Sequence, residues 1–229
     1  MAPYYHAEWT AFARHCLGVM NRTGILQDRS GRVAIDLACG TGVLAAALAG
    51  LGFSVVGVDI SEEMIRIARE ECPAGSFVVG DIRDTELPVA ADLVTCTFDS
   101  LNYLKSAAEV GKVFRKVRGY LKGDGRLFCD ANTPRLYEEK QHGTIHRSIA
   151  GCEFEQELFY DAGRKISRTV FRFEDGAWEE HEQRPYTKEE IDEELTASGL
   201  RLEKCFDDGE KEPPGDRAYK IYYVARVAG

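Results

Sequence analysis

The run Arg32-Val-Ala-Ile-Asp36 leads through Leu-Ala-Cys-Gly40-Thr41-Gly42 into an Ala- and Leu-rich stretch over 43–51, and this order constrains the chain more than any other feature. A short apolar run that stops at glycines and resumes as a helix former reads as strand, loop, helix. Glycines at such a junction let the backbone turn tightly and approach a ligand, with the helix N–H groups pointing at it. The unit then repeats. Residues 53–58 are nearly all apolar and β-branched, as a strand covered on both faces should be, and they stop at Asp59. Ser61 caps the next predicted helix, with Glu62 and Glu63 in the first turn, where the dipole favours negative charge. Further strands are predicted at 76–80 and 92–97. Ser106-Ala-Ala-Glu109 is a capping box for a helix with Val110, Val113, Phe114, Val117 and Leu121 on one face. Gly123-Asp-Gly125 stops that helix and opens a fifth strand over 126–130. Such alternation calls for an α/β fold with a mostly parallel sheet and helices on both faces.

An amphipathic helix over 5–22 precedes this region, burying Trp9, Phe12, Ala13, Cys16, Leu17 and Met20. After residue 140 the period changes to two. Segments 144–150, 153–161, 165–174 and 178–185 alternate polar with apolar or aromatic residues, and Asp161-Ala-Gly163 and Asp175-Gly176 punctuate them as hairpin turns. The expected organisation is one α/β domain from residues 1–141 and 186–229, interrupted by a small antiparallel sheet over 142–185. Thr187-Lys-Glu-Glu190 caps a last helix to about 198, and strands at 200–206 and 218–227 close the chain.

Of the residues, 44% are apolar and 29% charged, enough core formers for a compact fold and too many for wholesale disorder. The formal charge of -9 argues against a protein that coats nucleic acid, which needs an excess of Lys and Arg on one face. The basic residues Lys112, Arg115, Lys116, Arg118 and Lys122 read as the solvated side of a helix. Seven scattered cysteines with no CxxC or zinc spacing read as reduced core residues, and no metal is called for. The amino-terminal residues do not read as a leader and no run approaches a membrane span, so a cytoplasmic protein without a membrane partner is expected. An oligomer is possible but nothing indicates one.

Gly40-x-Gly42-x-x-Ala45, with Asp59 nineteen residues after Gly40, also satisfies the dinucleotide fingerprint, which keeps a nicotinamide oxidoreductase open. Asp36 speaks against it. A carboxylate just before the loop would repel a pyrophosphate and attract an ammonium group. Asp59 is placed to accept from ribose hydroxyls. In Gly80-Asp81-Ile82, after the third strand, the carboxylate can accept from an exocyclic amine while the isoleucine packs on a ring.

With these residues in this order, 32–131 resembles the class I S-adenosylmethionine-dependent methyltransferases. Val33 to Gly42 matches the family's first motif, Val56-Gly-Val-Asp-Ile-Ser61 the second-strand acidic motif, and Gly80-Asp81 the adenine motif. Phe98-Asp-Ser-Leu-Asn-Tyr103 resembles the segment that closes over the cofactor and faces substrate. Ala38 departs from a position where glycine is common. The resemblance implies a Rossmann-like seven-stranded sheet closed by a reversed hairpin, with the inserted strands as the lid of a small-molecule N- or O-methyltransferase. It implies S-adenosylmethionine as cofactor, held by Tyr5, Asp36, Ala38, Gly40, Thr41, Gly42, Asp59, Ile60, Met64, Asp81, Ile82 and Phe98. The expected partner is a small-molecule methyl acceptor. A base near the strand ends would take the acceptor's proton. His142 and His146, at the start of the insertion, are the candidates, with Tyr103 and Asn132 orienting. A cofactor-binding regulatory protein without transfer activity is the reading from another class.

Overall fold

The computed structural model describes residues 2–27, 32–149, 151–209 and 211–229, with side chains described from Thr10 onward except at Cys152. The glycine-rich junction folds as its sequence requires. Strand β1 (Val33–Leu37) is buried along almost its whole length and ends in the loop, and helix α2 (Val43–Gly50) begins at Gly42, whose φ of 78° is the left-handed region natural to glycine. On one side β1 pairs in parallel with β2 (Ser54–Asp59), and on the other with β4 (Ala91–Cys96). Strand β3 (Ser76–Val79) extends the sheet beyond β2, and β5 (Leu121–Asn132) runs parallel to β4. Strands β10 (Leu200–Asp207) and β11 (Lys220–Val227) form the reversed hairpin, with β11 inserted antiparallel against β5. The order β10-β11-β5-β4-β1-β2-β3 is the seven-stranded sheet that the resemblance implied.

Each strand sends alternate residues into opposite cores. Ile35, Leu127, Cys129 and Tyr223 meet Val113, Phe114 and Val117 of α4 (Ala107–Tyr120) and Ile191 and Leu195 of α6 (Lys188–Ala197). Ala34, Phe128, Tyr222 and Val224 meet Cys16 and Met20 of α1 (Ala2–Arg22), Leu44 and Leu48 of α2, and Ile65 and Ala68 of α3 (Glu62–Glu71). Each large apolar side chain withdrawn from water contributes roughly 1.5–3 kcal/mol, so these two layers fix the strand tips as a rigid rim. Ser61 accepts from Met64 N–H and Thr187 and Glu190 form a full capping box, as the sequence predicts; at Ser106 only half of the expected box forms, since Ser106 accepts from Glu109 N–H while the Glu109 carboxylate accepts from Lys105 N–H at 2.9 Å.

Two features depart from the expectation. Strand β5 begins at Leu121 and runs through Gly123-Asp-Gly125 instead of starting after it; a Cβ on Gly125 would lie 2.7 Å from the Ala91 carbonyl, so the glycine is what lets the two strands meet. Helix α5 (Pro134–Lys140), with Pro134 in its first turn, follows β5 where no helix was expected, because two turns are too short to display a period.

The second sheet is antiparallel, in the order β6-β7-β8-β9, from β6 (Gly143–Ile149), β7 (Cys152–Asp161), β8 (Ile166–Phe173) and β9 (Trp178–Gln183). Pairing of Glu179, His181 and Gln183 with Phe171, Thr169 and Ser167 places these six on one face. Among the described residues six cysteines are free and buried, no helix is long and apolar enough to cross a membrane, and no cluster of three or more metal-ligating groups occurs.

Substituting Gly42 tests the junction. Its Cβ would sit 2.9 Å from Ala68 Cα and Cβ in a left-handed backbone, so Gly42→Ala should destabilise the protein by about 1–3 kcal/mol in urea unfolding. An unchanged midpoint would show that the loop does not need this glycine.

Candidate functional site

Parallel strands bring their carboxyl ends to one edge, and the crevice opens where β2 and β4 leave β1 on opposite sides, as in open α/β sheets generally. A cavity of about 590 Å³ lies there. Asp36 and Asp59 both line it. Asp36 is 2% exposed and accepts a hydrogen bond from Thr95 Oγ1 at 2.6 Å. Asp59 accepts from Gly40 N–H and from Ser61 N–H, each at 2.9 Å, so the carboxylate also fixes the loop. Burial pushes the Asp36 carboxyl up to about 7 against the pull of Thr95, and the charge of Asp59 adds to the rise. Asp59 is likewise raised by burial, its backbone donors opposing. Two carboxyl groups that ionise reluctantly in a partly dry crevice make a site for a cation and for hydroxyl donors.

The third strand tip differs in charge. Asp81 lines the cavity, but Arg83 grips it through Nε at 3.0 Å and Nη2 at 2.6 Å, and the same guanidinium reaches Glu109 at 3.0 Å. The Arg83 hydrogen bonds hold the Asp81 carboxyl below the usual range. This end is therefore a polar but charge-compensated wall. Ile60, Met64 and Ile82 line the cavity beside it, with Ile60 70% exposed, an apolar lip suited to an aromatic ring.

Ala38 lines the cavity with φ 56°, a left-handed backbone that costs an alanine roughly 1 kcal/mol and maintains the loop shape that glycine adopts freely. Gly40, Thr41 and Gly42 stand behind the lining, and Thr41 is wholly buried. Phe98 lines the opposite wall with its ring edge-to-face against Phe12 of α1, centroids 4.6 Å apart. The side chains of Tyr4, Tyr5 and Trp9 lie outside the described residues.

Beyond Phe98 the cavity continues to Tyr103, on the short 3₁₀ helix Ser100–Tyr103, and to Glu179 and His181 of β9. The Tyr103 hydroxyl meets His181 Nδ1 at 2.8 Å, and His181 Nε2 stands 3.5 Å from Glu179. Burial lowers the His181 imidazole below 6.5 despite the neighbouring Glu179. The histidines singled out from sequence lie elsewhere. His142 is exposed with Nε2 on the Glu138 carbonyl at 2.8 Å, and His146 pairs across to Glu155 on the face of the second sheet opposite to His181. For His146 strand parity is the reason: the pairing series through it runs to Glu155, Arg172 and Trp178, and that through His181 to Thr169, Leu158 and Gly143. Asn132, expected to orient, is held in the interior beside Tyr137 at 3.4 Å. His181 carried one sequence signal, its place in an alternating strand, which does not say which face meets the crevice.

Comparison with known proteins decides the family. The profile of the methyltransferase domain matches residues 34–125, the region from β1 to the start of β5. YqeM of Bacillus subtilis strain 168, provisionally named a methyltransferase, is 31% identical over 213 residues, 86% of this chain and 84% of that protein. The chain belongs to the class I S-adenosylmethionine-dependent methyltransferases. An S-adenosylmethionine-dependent methyltransferase from Clostridium acetobutylicum ATCC 824 has the same fold, with a TM-score of 0.77 at 25% identity over 86% of this chain and 84% of that one. The dTDP-3-amino-3,6-dideoxy-alpha-D-glucopyranose N,N-dimethyltransferase of Streptomyces fradiae is 28% identical over 183 residues, 74% of this chain and 70% of that protein. The methyltransferase is thus an enzyme whose cofactor is S-adenosylmethionine, and the oxidoreductase and non-catalytic readings find no support.

The donor set fits that cofactor: two buried carboxyl groups for its ammonium and hydroxyls, and an apolar lip for its adenine. The strain of holding Asp36 there is measurable. A folded-state pKa raised to about 7 means that stability falls as pH climbs from about 4 to about 7 and is level above. Asp36→Asn in the methyltransferase keeps the bond from Thr95 and removes the buried charge, so at about pH 7.5 it should raise unfolding free energy by at least about 1.4 kcal/mol, the worth of one pKa unit. Equal or lower stability in the cofactor-free variant would contradict the burial cost.

Proposed function

We propose that this methyltransferase acts on an amine of a small molecule, with Asp36 holding the cofactor's ammonium, Asp59 its ribose hydroxyls, and Asp81 with Ile82 its adenine. Residues 142–185 are the lid over the acceptor. The observation that carries this reading is the continuity of one cavity from the strand-tip carboxyl groups to the Tyr103, His181 and Glu179 group of the lid. The amino-sugar dimethyltransferase of Streptomyces fradiae, similar over 74% of this chain, supports an amine acceptor.

S-adenosylmethionine supplies, when bound, a methyl group already activated on a sulfonium. The chain need only place the nucleophile in line and keep water out, contributions that come mostly from positioning. An amine arrives as an ammonium and must lose a proton before it has a lone pair to offer. His181, neutral near pH 7 because burial lowers it, takes that proton through the Tyr103 hydroxyl: Tyr103 accepts the acceptor's proton as its own passes to Nδ1. Glu179 beside Nε2 stabilises the resulting imidazolium. Lys105, which also lines the cavity, is tied to Glu182 at 2.8 Å, and that pairing offsets its repulsion of a positive acceptor.

Labelled methyl transfer to a panel of amino sugars and simple amines, with matched hydroxyl compounds, tests the reading. Transfer to an amine is expected, and His181→Gln should lower kcat by about 10²-fold while cofactor affinity changes by less than about twofold. Methylation of the hydroxyl compounds alone, or an unchanged kcat in the variant, would rule the proposal out.

A further inference from the structure

The turn that follows β4 carries two consecutive residues, Phe98 and Asp99, in left-handed backbone at φ 62° and φ 49°, and neither is glycine. L-residues seldom hold such a conformation unless something outside the turn imposes it. The clamp is Asp130, at the tip of β5. Its Oδ1 accepts from Phe98 N–H at 2.7 Å and its Oδ2 from Asp99 N–H at 2.8 Å, so a single carboxylate captures both peptide donors. Asp130 is 0% exposed, and a buried anion needs a cation. Lys220, the first residue of β11, provides it with Nζ at 2.5 Å from Asp130 Oδ2.

The same ammonium reaches Asp99 Oδ1 at 3.1 Å and lies 5.1 Å from the centre of the Phe12 ring, which itself packs on Phe98. The other oxygen of Asp99 accepts from Gln183 Nε2 at 2.5 Å, and Gln183 is two residues from His181 on the same face of β9. Five parts of the fold therefore converge on one side chain: α1, the turn after β4, β5, β11 and, through Asp99, β9. Asn102 pins the backbone of Arg184 separately, at 2.7 and 2.8 Å, so the second sheet stays attached without Gln183. What Gln183 adds is the placement of β9 relative to the turn.

We infer that Lys220 and Asp130 form a buried pivot that positions two walls of the active site together, the Phe98–Asp99 turn beside the cofactor crevice and, through Asp99 and Gln183, the strand that carries His181. Lys220 is a positioning residue in this scheme and touches neither cofactor nor acceptor. Only the significance of the second wall rests on the role proposed for His181; the coupling itself is independent of it.

The test uses S-adenosylhomocysteine as probe, with its affinity from calorimetry and amide hydrogen exchange of segments 97–103 and 178–183 in the full chain. Lys220→Met should weaken the affinity by at least about tenfold and speed exchange in both segments, and Lys220→Arg, which keeps the charge, should recover most of each loss. Gln183→Leu cuts the link from Asp99 to β9 together with the bond that Gln183 Oε1 accepts from the Tyr137 hydroxyl at 3.0 Å, which Tyr137→Phe removes alone: exchange in 178–183 should rise in Gln183→Leu beyond its level in Tyr137→Phe, with affinity within about twofold of wild type. Wild-type affinity and exchange in Lys220→Met, or loosening confined to 97–103, would overturn the inference. Should Lys220→Met not fold, Gln183→Leu read against Tyr137→Phe decides, since exchange in 178–183 no faster than in Tyr137→Phe would show that the pivot does not reach β9. No acceptor enters these measurements, so their failure is distinct from failure of the proposed base.

Discussion

Two carboxyl groups at the tips of neighbouring parallel strands, Asp36 and Asp59, are the constraint around which the rest of the molecule is arranged. A parallel pairing that opposes Leu37 to Val58 fixes how far apart these tips lie, and cores on both faces of the sheet prevent either from retreating. Each acid is worse off than in water because it is buried, and the charge of Asp59 adds to the difficulty of Asp36. Thr95, Gly40 and Ser61 offset part of that cost with hydrogen bonds. The remainder is relieved by a proton or by a ligand that brings positive charge, which is the physical sense in which the fold is preorganised for an adenosyl amino acid.

The two sheets divide the work. The parallel sheet is stiff and presents backbone donors, carboxyl groups and an apolar lip to the cofactor end. The antiparallel sheet alternates by twos, so a single face brings Glu179, His181 and Gln183 over the other end while the opposite face, with Glu155, Arg172 and Trp178, points away. The turn after β4 lies between them. Its strained residues are held by groups from distant parts of the chain, so the cofactor wall and the acceptor wall meet in a region whose shape is set by charge pairing.

Much of this was legible from the chain alone because its signals are local. Strand, loop and helix succeed one another within a dozen residues around Gly40, caps sit three residues from their partners at Ser61, Ser106 and Thr187, and the acids end their own strands. Reading failed where the deciding contact is remote or the segment short. Helix α5 has only seven residues. Strand β5 depends on Gly125 meeting the Ala91 carbonyl. His142 and His146 stand out by their place in sequence, but His142 precedes β6 and turns to the Glu138 carbonyl, a one-residue step in a strand reverses the face for His146, and His181, paired to Tyr103 from 78 positions away, occupies the crevice. The Asp81 charge is cancelled by Arg83 two residues on, a pairing that composition does not announce. The contact between Lys220 and Asp130 spans 90 residues and joins strands that no local pattern connects.

The most direct measurement is the proton balance of cofactor binding. With the Asp36 carboxyl raised to about 7 by burial in the crevice, at about pH 6 it is mostly protonated, and an arriving ammonium must expel that proton. Calorimetric titration with S-adenosylmethionine in buffers of differing ionisation enthalpy should then report release of close to one proton at about pH 6, and this release should vanish in Asp36→Asn. Binding without proton release, or release undiminished in the variant, would mean that the cofactor's charge is not met by Asp36 and that the strand-tip account is wrong.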